Sequence, residues 1–204
     1  MAKTALNKSS LHKQREQLKL YRRVLPSLEL KRLQLAAELA RARGTLVSEE
    51  AGLAAHRDRV SARLPMLANR EMDVSGLVRL ESVRVGEENV VGVRVPVLEG
   101  IDWAVADYSL LAKPHWVDAV VADLQAVAER WARVQLARKR VGILAQAERR
   151  ITQRVNLFEK ILIPTAEQNI KRIRIFLGDA ERDAVVRAKL SKALRQRSAE
   201  EIEA

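Results

Sequence analysis

Apolar residues recur at seven-residue intervals near both ends of this chain. Leu11, Leu18 and Leu25 fall seven apart, and after Arg32 the register resumes with Leu39, Leu46, Leu53, Val60 and Leu67. A companion row, Tyr21, Leu28, Leu35 and Ala42, lies three residues further on. In the second half Val120, Val127, Val134 and Val141 repeat in the same way, and after Glu148 come Val155 and Leu162. Rows this long form a stripe along a helix, and a stripe needs a partner helix to cover it. One such helix in each half predicts an all-α fold: a long antiparallel coiled-coil hairpin of N- and C-terminal helices. An arm of about 60 residues would reach on the order of 90 Å.

Punctuation along the chain refines this outline. Ser9 or Ser10 is the expected N-cap of the first helix, which should run to about Ala68. Pro26 lies inside it and should kink it without ending it, because the rows continue in register past it. Pro65 marks the end region. Residues 83–97 alternate Val with polar residues and Gly, so they predict a β-hairpin turning at Gly86-Glu87-Glu88-Asn89. Pro96 makes the second strand an edge or an end. Two strands alone are marginal in water, so the hairpin must lean on something, with Trp103 and Tyr108 as its anchors. Lys113-Pro114 should open the second long helix. Its apolar face is expected to pass through Val120, Leu124, Val127, Trp131 and Val134 and then drift to Leu144, Ile151, Phe158 and Ile161. Pro164 should interrupt it, Gly178 weaken it, and Ser198 to Ala204 be disordered. Three regions result: 1–68, the N-terminal long helix; 69–115, a central region with the hairpin; and 116–204, the C-terminal long helix with a charged tail.

Composition supports a rod over a globule. Aromatic residues are only 3% of the 204, fewer than a compact core uses. Cys is absent, which excludes disulfides and thiolate metal sites. With no apolar run of membrane-spanning length and no signal-peptide core, the chain reads as soluble and cytoplasmic. The formal net charge is +11 and is unevenly placed. Residues 1–70 carry 15 bases and 6 acids, residues 71–115 carry 4 and 8, and residues 116–204 carry 18 and 12. Basic arms flank an acidic centre. Lys and Arg on solvated helix faces account for part of this; the rest suits arms lying against nucleic acid, anionic lipid or the acidic inner wall of a protein ring.

Catalytic chemistry is missing from the pattern. There is no phosphate-binding glycine loop, and His12, His56 and His115 are scattered without a second ligand at metal spacing. No catalytic residue, metal site or cofactor is expected. The residues leave three readings: a stiff rod or shaft, a basic nucleic-acid-binding arm, and a scaffold. Scarce aromatics for base stacking weigh against the second.

Residues 154–164, Arg-Val-Asn-Leu-Phe-Glu-Lys-Ile-Leu-Ile-Pro, resemble a signature on the C-terminal helix of the D subunit of V-type and archaeal-type rotary ATPases. Ile170 and Ile173 match that family's apolar pair after the proline, and Glu181, Arg182, Asp183, Arg187, Lys189 and Lys192 its charged tail. Leu11, Leu18, Leu28, Lys31, Arg32 and Leu35 resemble its Leu-rich stretch with a Lys-Arg pair. Val24, where the family usually has Gly, is a departure, as are Pro26 and Leu33. The resemblance implies the central rotor shaft (stalk) of an ATP synthase, non-catalytic itself, coupling proton or other ion flow to ATP synthesis or the reverse. It implies as partners the catalytic A and non-catalytic B subunits of the ring, the small F subunit of the stalk, and the subunit capping the membrane rotor ring. It implies a place on the cytoplasmic side of the plasma membrane, with membrane association only through the complex. Partner contacts would then fall to Lys31, Arg32, Arg154, Asn156, Glu159, Pro164, Arg187 and Lys189. The helix-pair core would hold Leu18, Leu25, Leu39, Leu46, Val134, Val141, Leu144, Val155, Phe158 and Leu162.

Overall fold

The structure, a computed structural model, describes residues 5–65, 77–106 and 116–203, with side chains to residue 196. Leu67, Tyr108, Pro114 and His115 lie outside the described residues. Helix α1 spans Lys8–Arg63. A hairpin follows, β1 Val78–Val90 and β2 Val93–Val105. Helix α2, Val117–Leu157, passes through a π-helical turn, Phe158–Leu162, into α3, Ile163–Glu203. Two long helical stretches and one two-stranded antiparallel sheet are thus the expected architecture.

The chain divides into two compact units, residues 1–30 with 152–204, and residues 31–151. In the first, Lys8 pairs with Glu181, Gln14 with Asn169 and Arg22 with Glu167. In the second, Glu50 pairs with Arg138 and Arg63 with Asp123. In both, rising numbers on α1 meet falling numbers on the partner helix, so each unit holds an antiparallel helix pair. The second unit buries Leu35, Leu39 and Ala42 of α1 and Val120, Val134 and Leu144 of α2. The first buries Val155, Ala166, Ile170 and Ile173.

Helix ends and interruptions differ from the pattern in physically readable ways. The N-cap is Asn7, whose Oδ1 accepts the Ser10 N–H at 2.7 Å, and Ser9 and Ser10 lie inside the first turn. Ser9 and Ser10 come two and three residues too late to cap this end, and Ser10 is itself the donor. At the other end α1 stops at Arg63, short of Ala68, because Pro65 disfavours helical backbone at Leu64. The helix continues through Pro26. Gly178 does not break α3, and the helix extends to Glu203 where the pattern predicts disorder. The Ala, Arg, Lys and Glu of this tail are strong helix formers, and one Gly costs only about 1 kcal/mol.

The hairpin turns later than its glycines suggest. Gly86-Glu87-Glu88-Asn89 lies within β1, paired with Val97 to Arg94, and the turn is Val91-Gly92. Both turn residues have positive φ, 53° and 77°, as a two-residue turn matching strand twist requires. This register sets Glu88, Val90, Val93 and Val95 on one face. Val95 is fully buried, and Glu88 forms an ion pair with Arg140 of α2 at 2.8 Å. A Cβ on Gly92 would stand 3.3 Å from Lys31 Nζ, so the hairpin tip lies against both helices of its unit. The base is held separately, by Leu77 packed with Val117 and Val121 and flanked by Val78 and Trp116. Trp103 is half-buried opposite Leu80. Pro96 sits within β2 without penalty, since each strand of a two-stranded sheet has an open edge.

Val91 is β-branched in a left-handed conformation that such residues rarely adopt. Val91→Asn should relieve this strain and stabilise the hairpin by about 1 kcal/mol. Amide hydrogen exchange across β1 and β2 should slow by roughly fivefold; unchanged or faster exchange would show that the turn is not strained.

Candidate partner-binding surfaces

The segment Arg154 to Pro164 has a geometry of its own. Proline at position 164 cannot donate to the carbonyl of Lys160, and its ring crowds that carbonyl in a regular helix. The chain answers by widening. Residues Phe158–Leu162 form a π-helical turn, closed by the Ile163 N–H donating to the Phe158 carbonyl five residues back. Helical backbone therefore runs into and past Pro164 without the interruption expected there. The cost is phase, because an extra residue in one turn rotates every later position about the helix axis. Ile161, expected on the apolar face, points outward at 54% exposure. The buried stripe resumes at Ala166, Ile170 and Ile173. Phe158 meets Tyr21 of α1 edge to face, with ring centroids 5.4 Å apart and planes at 82°. Turns of this kind are frequent at functional positions.

The proposed core positions separate into two groups. Leu39, Val134, Leu144 and Val155 are buried. Leu18, Leu25, Leu46, Val141, Phe158 and Leu162 are half-buried. Trp131 and Leu124, expected on the apolar face of α2, are exposed. Their positions drift off the stripe because a 3.6-residue helix does not hold a seven-residue register. Val120, on the expected apolar face of α2, is buried, while Val95 and Leu77 are buried outside the expected core set; the Val-rich hairpin is the available signal for Val95.

The proposed contact positions do not form one site. Arg154 and Glu159 are exposed and Asn156 and Pro164 half-buried, all on the segment around the π-turn. Arg187 and Lys189 are exposed further along α3, within a stretch, 181–196, that is exposed throughout. Lys31 and Arg32 are half-buried in the second unit. Among the described residues no group of three or more His, Asp or Glu could hold a metal ion, and no helix is long and apolar enough to cross a membrane. His12 is exposed, and His56 keeps a buried Nε2 with no hydrogen-bond partner.

Comparison with known proteins agrees with the segment that carries the resemblance. A family model for the D subunit of ATP synthase matches residues 10–193. A V-type ATP synthase D subunit from Borreliella burgdorferi is 32% identical over 193 residues, 95% of either chain. One from Chlamydia muridarum is 34% identical over 92% of this chain and 93% of its own length. One from Chlamydia felis is 34% identical over 88% and 87%. The match runs through α1, the hairpin, α2, the π-turn and most of α3, and on that basis the chain belongs to the family of ATP synthase D subunits.

Proposed function

We propose that this chain is the central-stalk subunit of a V-type ATP synthase, coupling ion flow across a membrane to ATP synthesis, or ATP hydrolysis to ion pumping. The observation that carries the reading is the family match over residues 10–193 on a paired-helix fold. A stalk must transmit torque without its helices sliding past one another. Interlocked apolar side chains such as Leu35, Leu39 and Leu144 resist sliding. Cross-helix ion pairs, Arg22–Glu167 at 2.6 Å and Glu50–Arg138 at 2.7 Å, fix the register further. The stalk itself performs no chemistry; ATP is made and cleaved on the ring of A and B subunits around it. In this reading residues 1–68 and 116–204 form the arms. Region 69–115 carries contacts to the small F subunit and to the subunit capping the membrane ring, on the cytoplasmic side. Partner contact at Lys31, Arg32, Arg154, Asn156, Glu159, Pro164, Arg187 and Lys189 belongs to the same proposal.

Co-purification tests it. A tagged chain recovered from its native host should bring down an ATP-hydrolysing assembly. The purified chain alone should show neither hydrolysis nor micromolar ATP binding by calorimetry. Recovery of the chain free of any ATPase subunit would overturn the stalk assignment.

A further inference from the structure

In the first unit both helices lose a backbone hydrogen bond at the same level. Pro26 lies inside α1 and has no N–H, so the Arg22 carbonyl, four residues back, loses its helical donor. Pro164 does the same to the Lys160 carbonyl, where the π-turn runs into α3. Two contacts set these positions against each other. Tyr21 meets Phe158, the first residue of the π-turn, and Arg22 reaches Glu167, beyond Pro164, at 2.6 Å. Residues 158–167 therefore lie opposite Tyr21 and Arg22, and the two carbonyls deprived of their donors fall in one stretch of the pair. Ser27 adds to the disturbance in α1. Its Oγ donates to the Val24 carbonyl at 2.7 Å, a side-chain bond of the kind that bends helices.

Packing is thin at the same place. Val155 and Ala166 are buried, and no residue between them is. On α1 none of residues 8–30 is buried; Leu18, Tyr21, Leu25 and Leu28 are half-buried. Few buried apolar contacts and interrupted backbone bonding make one part of a fold deform more readily than the rest. Prolines and π-turns are also the usual causes of sharp bends in helices. A π-turn by itself is a static way of absorbing Pro164. Two soft points at different levels would each be braced by intact helix opposite. Here neither helix braces the other, because α1 is weakened where its partner is already widened. Pro26 is exposed, so no packing requires it.

We propose that Pro26 and the π-turn at Phe158–Leu162 form one paired flexure, about which the two helices of the first unit bend together. The half-buried side chains around it shift without exposing a packed core, and the ion pair and ring contact beside it keep the helices in register while they bend. Resting on the stalk reading, its role is to take up twist while the stalk is loaded and to return it when the load is released.

The test uses the full chain alone, so it reads the flexure independently of the co-purification that reads the stalk assignment. The chain has no Cys, so spin labels attach only where Cys is introduced. Double electron–electron resonance measures the distance distribution across Pro26 in Glu16→Cys/Leu30→Cys and across the π-turn in Arg154→Cys/Gln168→Cys. Leu124→Cys/Lys139→Cys, on an uninterrupted stretch of α2, is the control. The labelled backbones of each pair stand roughly 21–23 Å apart, at 1.5 Å per helical residue. All six positions are exposed. The first two distributions should be about twice as wide as the control. Pro26→Ala should narrow the first to the control width and, because the helices bend together, narrow the second by at least about a third. It removes an exposed ring, so circular dichroism should show the helices retained. Arg23→Ala, at an exposed position nearby, should leave both widths unchanged. Starting widths equal to the control, no narrowing with Pro26→Ala, narrowing across Pro26 alone, or equal narrowing with Arg23→Ala would each overturn the proposal.

Discussion

Leu144→Ala should destabilise the second unit by about 3 kcal/mol. Leu144 has no solvent exposure on α2. Removing a buried Leu side chain loses its transfer free energy and leaves a cavity that a stiff helix pair fills poorly, costing ~2–5 kcal/mol. Its sequence neighbour supplies the control. Ile143 is 36% exposed, and Ile143→Ala should cost under about 1 kcal/mol because water already reaches much of it. Denaturant unfolding of the two variants, with hydrogen exchange of α2 amides to localise the change, separates them. Comparable losses from both would mean that α2 packs in a different rotation about its axis.

Phe158→Ala should cost about 2 kcal/mol, less than the ~3–5 of a fully buried Phe, because Phe158 is half-buried. Part of the loss is the edge-to-face contact with Tyr21, worth roughly 0.5–1.5 kcal/mol. Lys160→Gln, on the exposed side of the same π-turn, should leave stability unchanged. In a reconstituted ATP synthase the Phe158 variant should continue to hydrolyse ATP while ion transport per ATP falls, since softening the helix pair at the π-turn weakens torque transfer and leaves the ring intact. If stability, assembly and coupling all remain at wild-type values, neither the ring contact nor the place of this turn in the stalk can stand.

Local chemistry made much of the fold legible. Leu11 to Val60 and Val120 to Leu162 signal two long helices because only a helix gathers such spacings on one side. The valines of 83–97 signal strands because β-branched residues suit a pleated, half-buried surface. The segment from Arg154 to Pro164 carries the family resemblance in its residue order alone. Other features were less legible, and each failed for a nameable reason. Gly86 drew the turn to itself, yet the register that buries Val90 and Val95 places the bend at Val91-Gly92, at the expense of a strained valine. Trp131 fits the expected apolar face of α2 and is 56% exposed, because the stripe rotates away from it.

The sequence by itself determined the kinds of element, their order, the basic arms around an acidic centre, and the family. These follow from periodicity, propensity and residue order, which need no knowledge of which side chains pack together. Tertiary structure alone decided which rows are buried, how Pro164 is absorbed, and which cations converge. Burial depends on how far each stripe has rotated when it meets its partner. The π-turn changes that rotation by inserting a residue whose effect appears only in three dimensions. Antiparallel packing within the first unit sets Arg15, Lys19 and Arg22 beside Lys171 and Arg174, about 150 residues away along the chain.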